Sequence, residues 1–160
     1  MLDPQAFKAV IKNTPLVSID LCLVCNEQIL LGKRINEPLK GRWFTPGGRI
    51  HKNERWQAAL QRIALSELGL PPSDCAGFEL MGVWDHFYPN SASDETISTH
   101  YVNLPQFARF KFRPAISGDD QHDNWGWFDL DKVVSDEGFH EYVRGYASYL
   151  INKGTQDVKN

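Results

Sequence analysis

The chain has 160 residues, enough for one globular domain with its own hydrophobic core. Its net charge of -3 at pH 7 excludes a bulk electrostatic attraction to nucleic acid or to an anionic membrane. The sequence has neither a run of ~18 apolar residues nor an apolar N-terminal leader, so it predicts no transmembrane helix and no signal peptide.

Cysteine usage points to a reducing compartment. Cys22, Cys25 and Cys75 are an odd number, which argues against a disulfide framework. Cys22 and Cys25 have the spacing of a metal or redox pair, but they fall in a predicted strand, where residues three apart lie on opposite faces. We therefore expect buried free thiols and a cytoplasmic protein.

The predicted elements begin with a short helix, because Asp3 is a good N-cap and Pro4 suits the first helical position. The runs "PLVSIDLCLVC" and "QILLGKR" predict a β-hairpin that turns at Asn26 and Glu27. A structured loop with a short strand at residues 43–45 follows. Asn53 is then predicted to cap the main helix, which ends at Gly69.

The second half of the chain is rich in predicted strands. "GFELMGVWDHFY" and "STHYVNLPQFARFKF" are joined by a polar loop, and Pro105 predicts a bulge or a sheet edge. "NWGWFDLDKVV" predicts a strand and a helical turn, and "FHEYVRGYASYLINK" an amphipathic helix. Since strands and helices interleave without a regular βαβ alternation, we expect an α/β fold with a mixed sheet flanked by helices, in one domain over residues 1–160.

One carboxylate stands out on the main helix. Glu67 falls near the middle of an apolar stripe, and a buried carboxylate requires a cation or strong donors. A salt bridge to Arg62 or to a loop arginine satisfies that requirement, and so does a divalent metal ion. The residues predicted to form the apolar stripe are Trp56, Ala59, Leu60, Ile63, Ala64 and Leu68.

Basic residues are concentrated just before and along this helix. They fit a planar phosphate or carboxylate ligand, although a solvated basic face fits them equally well. The cluster comprises Arg34, Arg42, Arg49, Lys52 and Arg62.

The spacing of this segment resembles the Nudix box. Gly48, Glu54 and Arg62 are separated by five and then seven residues, and Glu67, Gly69 and Leu70 follow in register over residues 48–70. Two positions depart from the general box, because Ile63 and Ser66 stand where it has glutamates.

Over nearly its whole length the chain is similar to the GDP-mannose mannosyl hydrolase branch of the Nudix superfamily. The stretches that carry the resemblance are "TPLVSID", "LLGKR", "GRWFTPGGRI", "SELGL", "GVWDHFY", "THYV" and "DDQHD". The resemblance implies a Nudix fold, an α/β/α sandwich, and hydrolysis of GDP-mannose, with GDP-glucose as a further substrate. The reaction that the resemblance implies is attack of water on sugar C1 with inversion, which would release GDP and free sugar. The resemblance also implies one Mg²⁺ per subunit, replaceable by Mn²⁺, and a homodimer.

The resemblance also assigns site residues. Mg²⁺ would be held by the Gly47 carbonyl, Glu67 and Gln121. Arg49, Arg62 and Tyr101 would stabilise the departing diphosphate. Asp20 and His86 would lie near the sugar, Arg34 near the nucleotide, and Leu2 and Phe7 would be N-terminal substrate contacts.

His122 is the candidate general base. Imidazole has a suitable pKa near neutrality, although a loop histidine among aspartates is more often simply solvated. The matching histidine of the family is its general base.

Two other functions remain open. A pyrophosphohydrolase would cleave at phosphorus, which the absence of glutamate at Ile63 and Ser66 disfavours. A non-catalytic sensor would bind a nucleotide sugar without turning it over, which the retained Glu67, Gln121 and His122 disfavour.

Overall fold

The computed structural model describes residues 2–117 and 122–157, and, of residues 122–157, the side chains of 124–154. The predicted interleaving of strands and helices is confirmed. The elements are α1 (Pro4–Asn13), β1 (Leu16–Cys25), β2 (Gln28–Arg34), β3 (Trp43–Phe44), β4 (Gly47–Arg49), α2 (Trp56–Leu68), a 3-10 turn (Pro72–Cys75), β5 (Glu79–Leu80), β6 (Trp84–Tyr88), β7 (Thr99–Asn103), β8 (Gln106–Arg109), β9 (His122–Asp129), α3 (Leu130–Ser135) and α4 (Glu141–Asp157).

Local chemistry explains the N-terminal elements. The Asp3 carboxylate accepts the backbone N–H groups of Gln5 and Ala6 at 2.9 and 3.2 Å, which caps α1 as predicted. Asn26 and Glu27 both have positive φ, at 50° and 57°, which is the conformation of a two-residue hairpin turn. The turn brings β1 and β2 into antiparallel pairing.

Strand β1 organises the mixed sheet. Its first half lies between β4, which is antiparallel, and β7, which is parallel. Its second half lies between β2, which is antiparallel, and β8, which is parallel. Strand β6 adds to β7, and β9 adds to the outer side of β2.

Side-chain alternation along β1 builds two cores. Ile19, Leu21 and Leu23 face α2, whereas Cys22 and Val24 face α4. Helices therefore cover both faces of the sheet, as expected for an α/β/α sandwich. The three cysteines are buried free thiols, as predicted.

The start of α2 differs from the prediction. Asn53 has φ +66°, so it does not adopt the extended conformation of an N-cap, and Arg55 holds that position without a side-chain bond. Trp56 is the first helical residue and stays 41% exposed, outside the apolar core. The predicted end is confirmed, since Gly69 adopts the left-handed conformation with φ 68°.

The predicted bulge or sheet edge at Pro105 was wrong, although the run of strand residues is interrupted there, between Asn103 and Gln106. Leu16 pairs with Tyr101 and Leu21 pairs with Gln106, so the offset along β1 is the same on both sides of the proline. No residue is bulged out. Proline lacks an N–H, and its carbonyl instead accepts a hydrogen bond from the Met81 N–H at 2.8 Å.

Within the described residues, no helix is long and apolar enough to cross a membrane.

Candidate functional site

A cavity of about 840 Å³ lies beside the first half of β1. It brings together nine of the twelve residues predicted for the site: Phe7, Asp20, Arg34, Gly47, Arg49, Arg62, Glu67, His86 and Tyr101. Leu2 is 58% exposed and does not line the cavity. Gln121 lies outside the described residues. The backbone of His122 begins β9 opposite Arg34, but its side chain also lies outside what the structure describes.

Strand β4 lines the cavity at Gly47, whose carbonyl is not used in pairing with β1. The Leu21 N–H bonds to Pro46 and the Ile50 N–H bonds to Val17, which fixes the phase of the β1–β4 ladder. Because bonded and non-bonded pairs alternate, the Asp20–Gly47 pair exchanges no backbone hydrogen bonds. The Gly47 carbonyl therefore points away from β1.

Only glycine fits at position 47. A Cβ there would lie 2.6 Å from the Ile19 carbonyl oxygen and on top of the Asp20 carboxylate oxygen Oδ1. The close approach of β4 to Asp20 thus requires the first glycine of the "GG" pair.

Glu67 is carried into the cavity by α2. The helix packs its apolar stripe on the sheet, and Glu67, in its last turn, is only 8% exposed. The hydrogen bond to Glu54 raises the pKa of Arg62, and the negative charge of Glu67 acts in the same direction. A carboxylate and a backbone carbonyl on one cavity are hard oxygen donors, the type that Mg²⁺ prefers. The donor set therefore fits a magnesium ion.

Within the part of the chain that the structure describes, Glu67 does not belong to a cluster of acidic or imidazole ligands. Among the described residues, no three His, Cys, Asp or Glu side chains gather closely enough to hold a metal ion. Any ion at Glu67 would need backbone, amide or ligand oxygens to complete its coordination.

Arg62 is fixed by Glu54. The Arg62 Nε and Nη2 atoms donate to the two Glu54 carboxylate oxygens at 2.7 and 2.9 Å. Nη2 also donates to the Arg49 carbonyl at 2.8 Å, and Glu54 accepts the His51 N–H at 2.9 Å. The bond from Arg62 lowers the pKa of Glu54 to about 2. The pair braces the loop between β4 and α2, a role of Glu54 that its spacing alone did not indicate.

The other cavity arginines are less fully engaged. The Arg49 guanidinium lies 4.0 Å from the centre of the Phe7 ring, a cation–π contact that links α1 to the cavity. The Arg34 Nε donates to the Pro38 carbonyl at 2.7 Å. Burial raises the pKa of Tyr101, opposed by the charges of Arg49 and Arg34. These residues give one part of the wall a positive potential that suits an anionic ligand.

The innermost wall is a buried polar cluster around the Tyr146 hydroxyl of α4. The hydroxyl lies 2.7 Å from Asp20 Oδ2, 3.2 Å from His86 Nε2 and 3.4 Å from Asn103 Oδ1. The Asn103 amide in turn donates to the Ser18 hydroxyl at 2.9 Å. We name these five residues the inner cluster.

Burial shifts Asp20 and His86 of the inner cluster toward their neutral forms. It raises the pKa of Asp20 to about 6, partly offset by the Tyr146 hydrogen bond. It lowers the pKa of His86 to about 4, with the nearby His140 acting in the same direction. His86 is consequently neutral at physiological pH. Its ring is stacked on Tyr142, with centroids 3.9 Å apart.

Sequence reasoning found Asp20 and His86 but missed the rest of the inner cluster. Ser18 and Asn103 each lie two residues from a predicted site residue, Asp20 and Tyr101, so strand alternation places them on the same face. That spacing was a usable signal. Tyr146 gave none, because a tyrosine on the apolar side of a helix is ordinary core.

Comparison with known proteins identifies the family to which this architecture corresponds. The sequence pattern of the NUDIX domain matches residues 15–148. The Low-salt glycan biosynthesis protein Agl8 of Haloferax volcanii is 36% identical over 144 residues, which make up 90% of this chain and 87% of that protein.

Solved structures agree with the fold. The MutT NUDIX hydrolase from Burkholderia pseudomallei has a TM-score of 0.65 at 25% identity, covering 86% of this chain and 98% of that one. The NUDIX domain of Shewanella oneidensis NrtR, solved with ADP ribose, has a TM-score of 0.67 at 18% identity, covering 95% and 93%. With the domain pattern spanning most of its length, the chain belongs to the Nudix hydrolase family.

Proposed function

We propose that this Nudix hydrolase cleaves GDP-mannose, with GDP-glucose as a further substrate, by attack of water on C1 of the sugar. The products are GDP and free sugar with inverted configuration. The proposal rests on the resemblance of the chain to enzymes of that type and on the composition of the cavity wall.

The observation that carries the proposal is the number of carboxylates that α2 supplies to the cavity. Ile63, at a box position for glutamate, is 1% exposed and packs beneath Gly48. Ser66, at the other, lines the cavity with a hydroxyl that donates to the Ile63 carbonyl at 3.3 Å. With Glu54 bound to Arg62, the helix supplies the single carboxylate of Glu67. One carboxylate suits neutralisation of a diphosphate leaving group better than assembly of several ions around a water that attacks phosphorus.

The metal that Nudix hydrolases generally use has fitting donors in this chain. The Gly47 carbonyl and Glu67 would hold one Mg²⁺, or Mn²⁺ in its place, with Gln121 as the third protein ligand. When bound, the ion supplies positive charge to the diphosphate oxygens.

The chain's own cations act on the same leaving group. In this proposal Arg49 and Tyr101 donate hydrogen bonds to the diphosphate as negative charge develops on it, and Arg34 contacts the nucleotide. Arg62 adds positive charge while remaining bonded to Glu54. Preorganised donors of this kind each contribute ~3 kcal/mol in strong cases.

The sugar end of the site is assigned to the inner cluster. The Asp20 carboxylate would face the positive charge that develops at C1 as the bond to the diphosphate breaks. His86, held neutral by burial, would donate or accept a hydrogen bond without adding a positive charge there. His122 would take the proton of the attacking water.

The similarity to Agl8 supports a sugar-containing substrate. The name of that protein refers to glycan biosynthesis, and the two chains align over most of both lengths. We further propose that this protein is a cytoplasmic homodimer, with Leu2 and Phe7 contributing to the substrate contacts.

Product analysis tests the proposed function. The protein is incubated with GDP-mannose and MgCl₂ and followed by ³¹P and ¹H NMR. We expect GDP and mannose, with the first-formed mannose in the β configuration, opposite to that in the substrate. GMP and mannose 1-phosphate would identify a pyrophosphohydrolase. Tight binding without turnover would identify a sensor.

Replacement of His122 tests the proposed base. His122→Gln should lower kcat by roughly 10²–10⁴-fold, the usual contribution of a general base. Mg²⁺ affinity, measured by titration of activity, should stay near that of the unmodified protein. An unchanged kcat would assign the proton transfer to another group.

A further inference from the structure

Tyr146 stands directly behind the innermost wall of the cavity. Asp20 and His86 both line the cavity, whereas Tyr146 does not and is fully buried. Its ring packs edge-on against Trp84, with centroids 4.9 Å apart. A ligand in the cavity therefore meets Asp20 and His86, and Tyr146 acts only through them.

The hydrogen-bond inventory of the inner cluster fixes the direction of each bond. A tyrosine hydroxyl has a single hydrogen to donate. The 2.7 Å contact to the Asp20 carboxylate is the shortest, and a charged acceptor makes the stronger bond, so the hydrogen lies on that contact. At 3.4 Å, Asn103 Oδ1 is a weak competitor.

The tautomer of His86 follows from this assignment. Since the Tyr146 hydrogen points to Asp20, the hydroxyl oxygen is an acceptor toward His86 Nε2, 3.2 Å away. Neutral imidazole carries one N–H, and it must therefore be on Nε2. The Nδ1 lone pair remains, with Nδ1 3.9 Å from Asp20 Oδ2.

The same hydroxyl also selects the orientation of Asp20. Its Oδ2 is held by Tyr146, and its Oδ1 lies against Gly47, where a Cβ would overlap it. The Asp20 carboxylate is thus held on one side by Tyr146 of α4 and on the other by Gly47 of β4.

We propose that Tyr146 is a positioning residue for the sugar end of the site, whose hydroxyl sets the orientation of Asp20 and the tautomer of His86. It contacts neither substrate nor metal. The consequence for catalysis rests on the function proposed above, whereas the consequence for His86 does not depend on any substrate.

Tyr146→Phe removes the hydroxyl and keeps the ring that packs on Trp84. The matched control is Tyr149→Phe on the same helix, whose ring contacts Trp84 and Phe107 and for which no contact to the inner cluster is described. With GDP-mannose and Mg²⁺ we expect Tyr146→Phe to lower kcat by about 10–100-fold, as is typical for the loss of a residue that orients an active-site group. KM should change by less than about threefold and Tyr149→Phe should match the unmodified protein.

A second measurement reports on His86 without substrate. Two-bond ¹H–¹⁵N correlation NMR at pH 8, with His86→Gln for assignment, should show the Nε2–H tautomer. In Tyr146→Phe the ring should populate both tautomers, while Tyr149→Phe leaves it unchanged.

Several results would overturn the proposal. An Nδ1–H tautomer of His86 in the unmodified protein would contradict the assigned hydrogen bond from His86 Nε2 to the Tyr146 hydroxyl. A tautomer that Tyr146→Phe leaves unchanged would contradict the proposed effect of that hydroxyl. Equal losses of kcat and of Tm in the two phenylalanine variants would show a packing role only. If the unmodified protein does not turn over GDP-mannose, the proposed function fails, and the NMR result alone decides whether the hydroxyl orients His86.

Discussion

Helices α2 and α4 cover opposite faces of the same sheet, and each buries one polar side chain at the cavity. On α2 it is the Glu67 carboxylate, in the last turn of an apolar stripe. On α4 it is the Tyr146 hydroxyl, which lies behind the cavity wall. The two helices therefore contribute differently. Helix α2 supplies a charge that meets the ligand, whereas α4 orients the polar side chains of Asp20 on β1 and His86 on β6.

The two contributions are expected to fail in different ways. Removal of a charge that meets a ligand should weaken the binding of ligand or metal. Removal of a hydroxyl that orients other residues should lower the reaction rate and leave binding largely unchanged. We expect substitutions on and beside α2 to have effects of decreasing size, beginning with the loss of the Glu67 carboxylate.

Removal of the α2 carboxylate should have the largest effect. Glu67→Gln keeps the shape of the side chain but removes the charge that would hold Mg²⁺. An ion of this type contributes several kcal/mol to stabilising charge in a transition state, so kcat/KM should fall roughly 10³-fold. The measurement is kcat/KM as a function of MgCl₂ concentration, with thermal stabilisation by Mg²⁺ as a readout that needs no substrate.

The control for that variant is Glu141→Gln, at the start of α4 and outside the cavity. It should leave both activity and the Mg²⁺ response unchanged. Full Mg²⁺-dependent activity in Glu67→Gln would remove the basis for assigning Glu67 to the metal.

The two box positions that lack glutamate should respond oppositely to its introduction. Ile63 is 1% exposed among apolar neighbours, so Ile63→Glu buries a carboxylate and should lower the free energy of unfolding by about 3 kcal/mol or more. Ser66 is exposed, so Ser66→Glu should change it by less than ~0.5 kcal/mol. Urea denaturation of both variants provides the comparison.

Equal stability of the two glutamate variants would show that the core beneath Gly48 accommodates a charge. In that case the composition of α2 would no longer distinguish this cavity from one built for several metal ions.

The brace at the start of α2 gives the smallest effect and a pH dependence. The Arg62 bond lowers the pKa of Glu54 from 4.5 to about 2, so between these values the unfolded chain binds more protons than the folded one. The contribution to stability is therefore complete above about pH 5 and disappears as pH falls toward 2. Because the Arg62 side chain is 37% exposed, solvent screening limits it to about 1 kcal/mol.

Glu54→Gln tests this brace. At pH 7 the variant should be less stable than the unmodified protein by about that amount, and the difference should vanish near pH 2. Chemical unfolding at several pH values measures it. A difference that persists at low pH would mean that Glu54 acts through neutral contacts.

The same comparison shows how far the sequence alone could predict the site. Glu67 was identified because a charge within an apolar stripe violates the expected pattern and requires a partner. Asp20 was identified for the same reason within a strand. Tyr146 satisfies the pattern of an amphipathic helix, and only the three-dimensional packing of α4 on β1 brings its hydroxyl to Asp20, 126 residues away.

The fold was predictable where local chemistry decides it. The Asp3 cap, the Asn26–Glu27 turn and the Gly69 stop each depend on a few neighbouring residues, and each is confirmed. The predictions at Asn53 and Pro105 failed because tertiary contacts outweigh the local sequence preference at these positions. The Glu54–Arg62 pair determines the path into α2, and pairing to β1 keeps the register through the proline.

In the proposed reaction water attacks C1 of the sugar and not phosphorus. The most direct measurement is hydrolysis of GDP-mannose with Mg²⁺ in H₂¹⁸O, followed by mass spectrometry of both products. We predict one ¹⁸O atom in mannose and none in GDP. An ¹⁸O atom in any phosphate product, including GDP itself, would place the attack at phosphorus and contradict attack at C1.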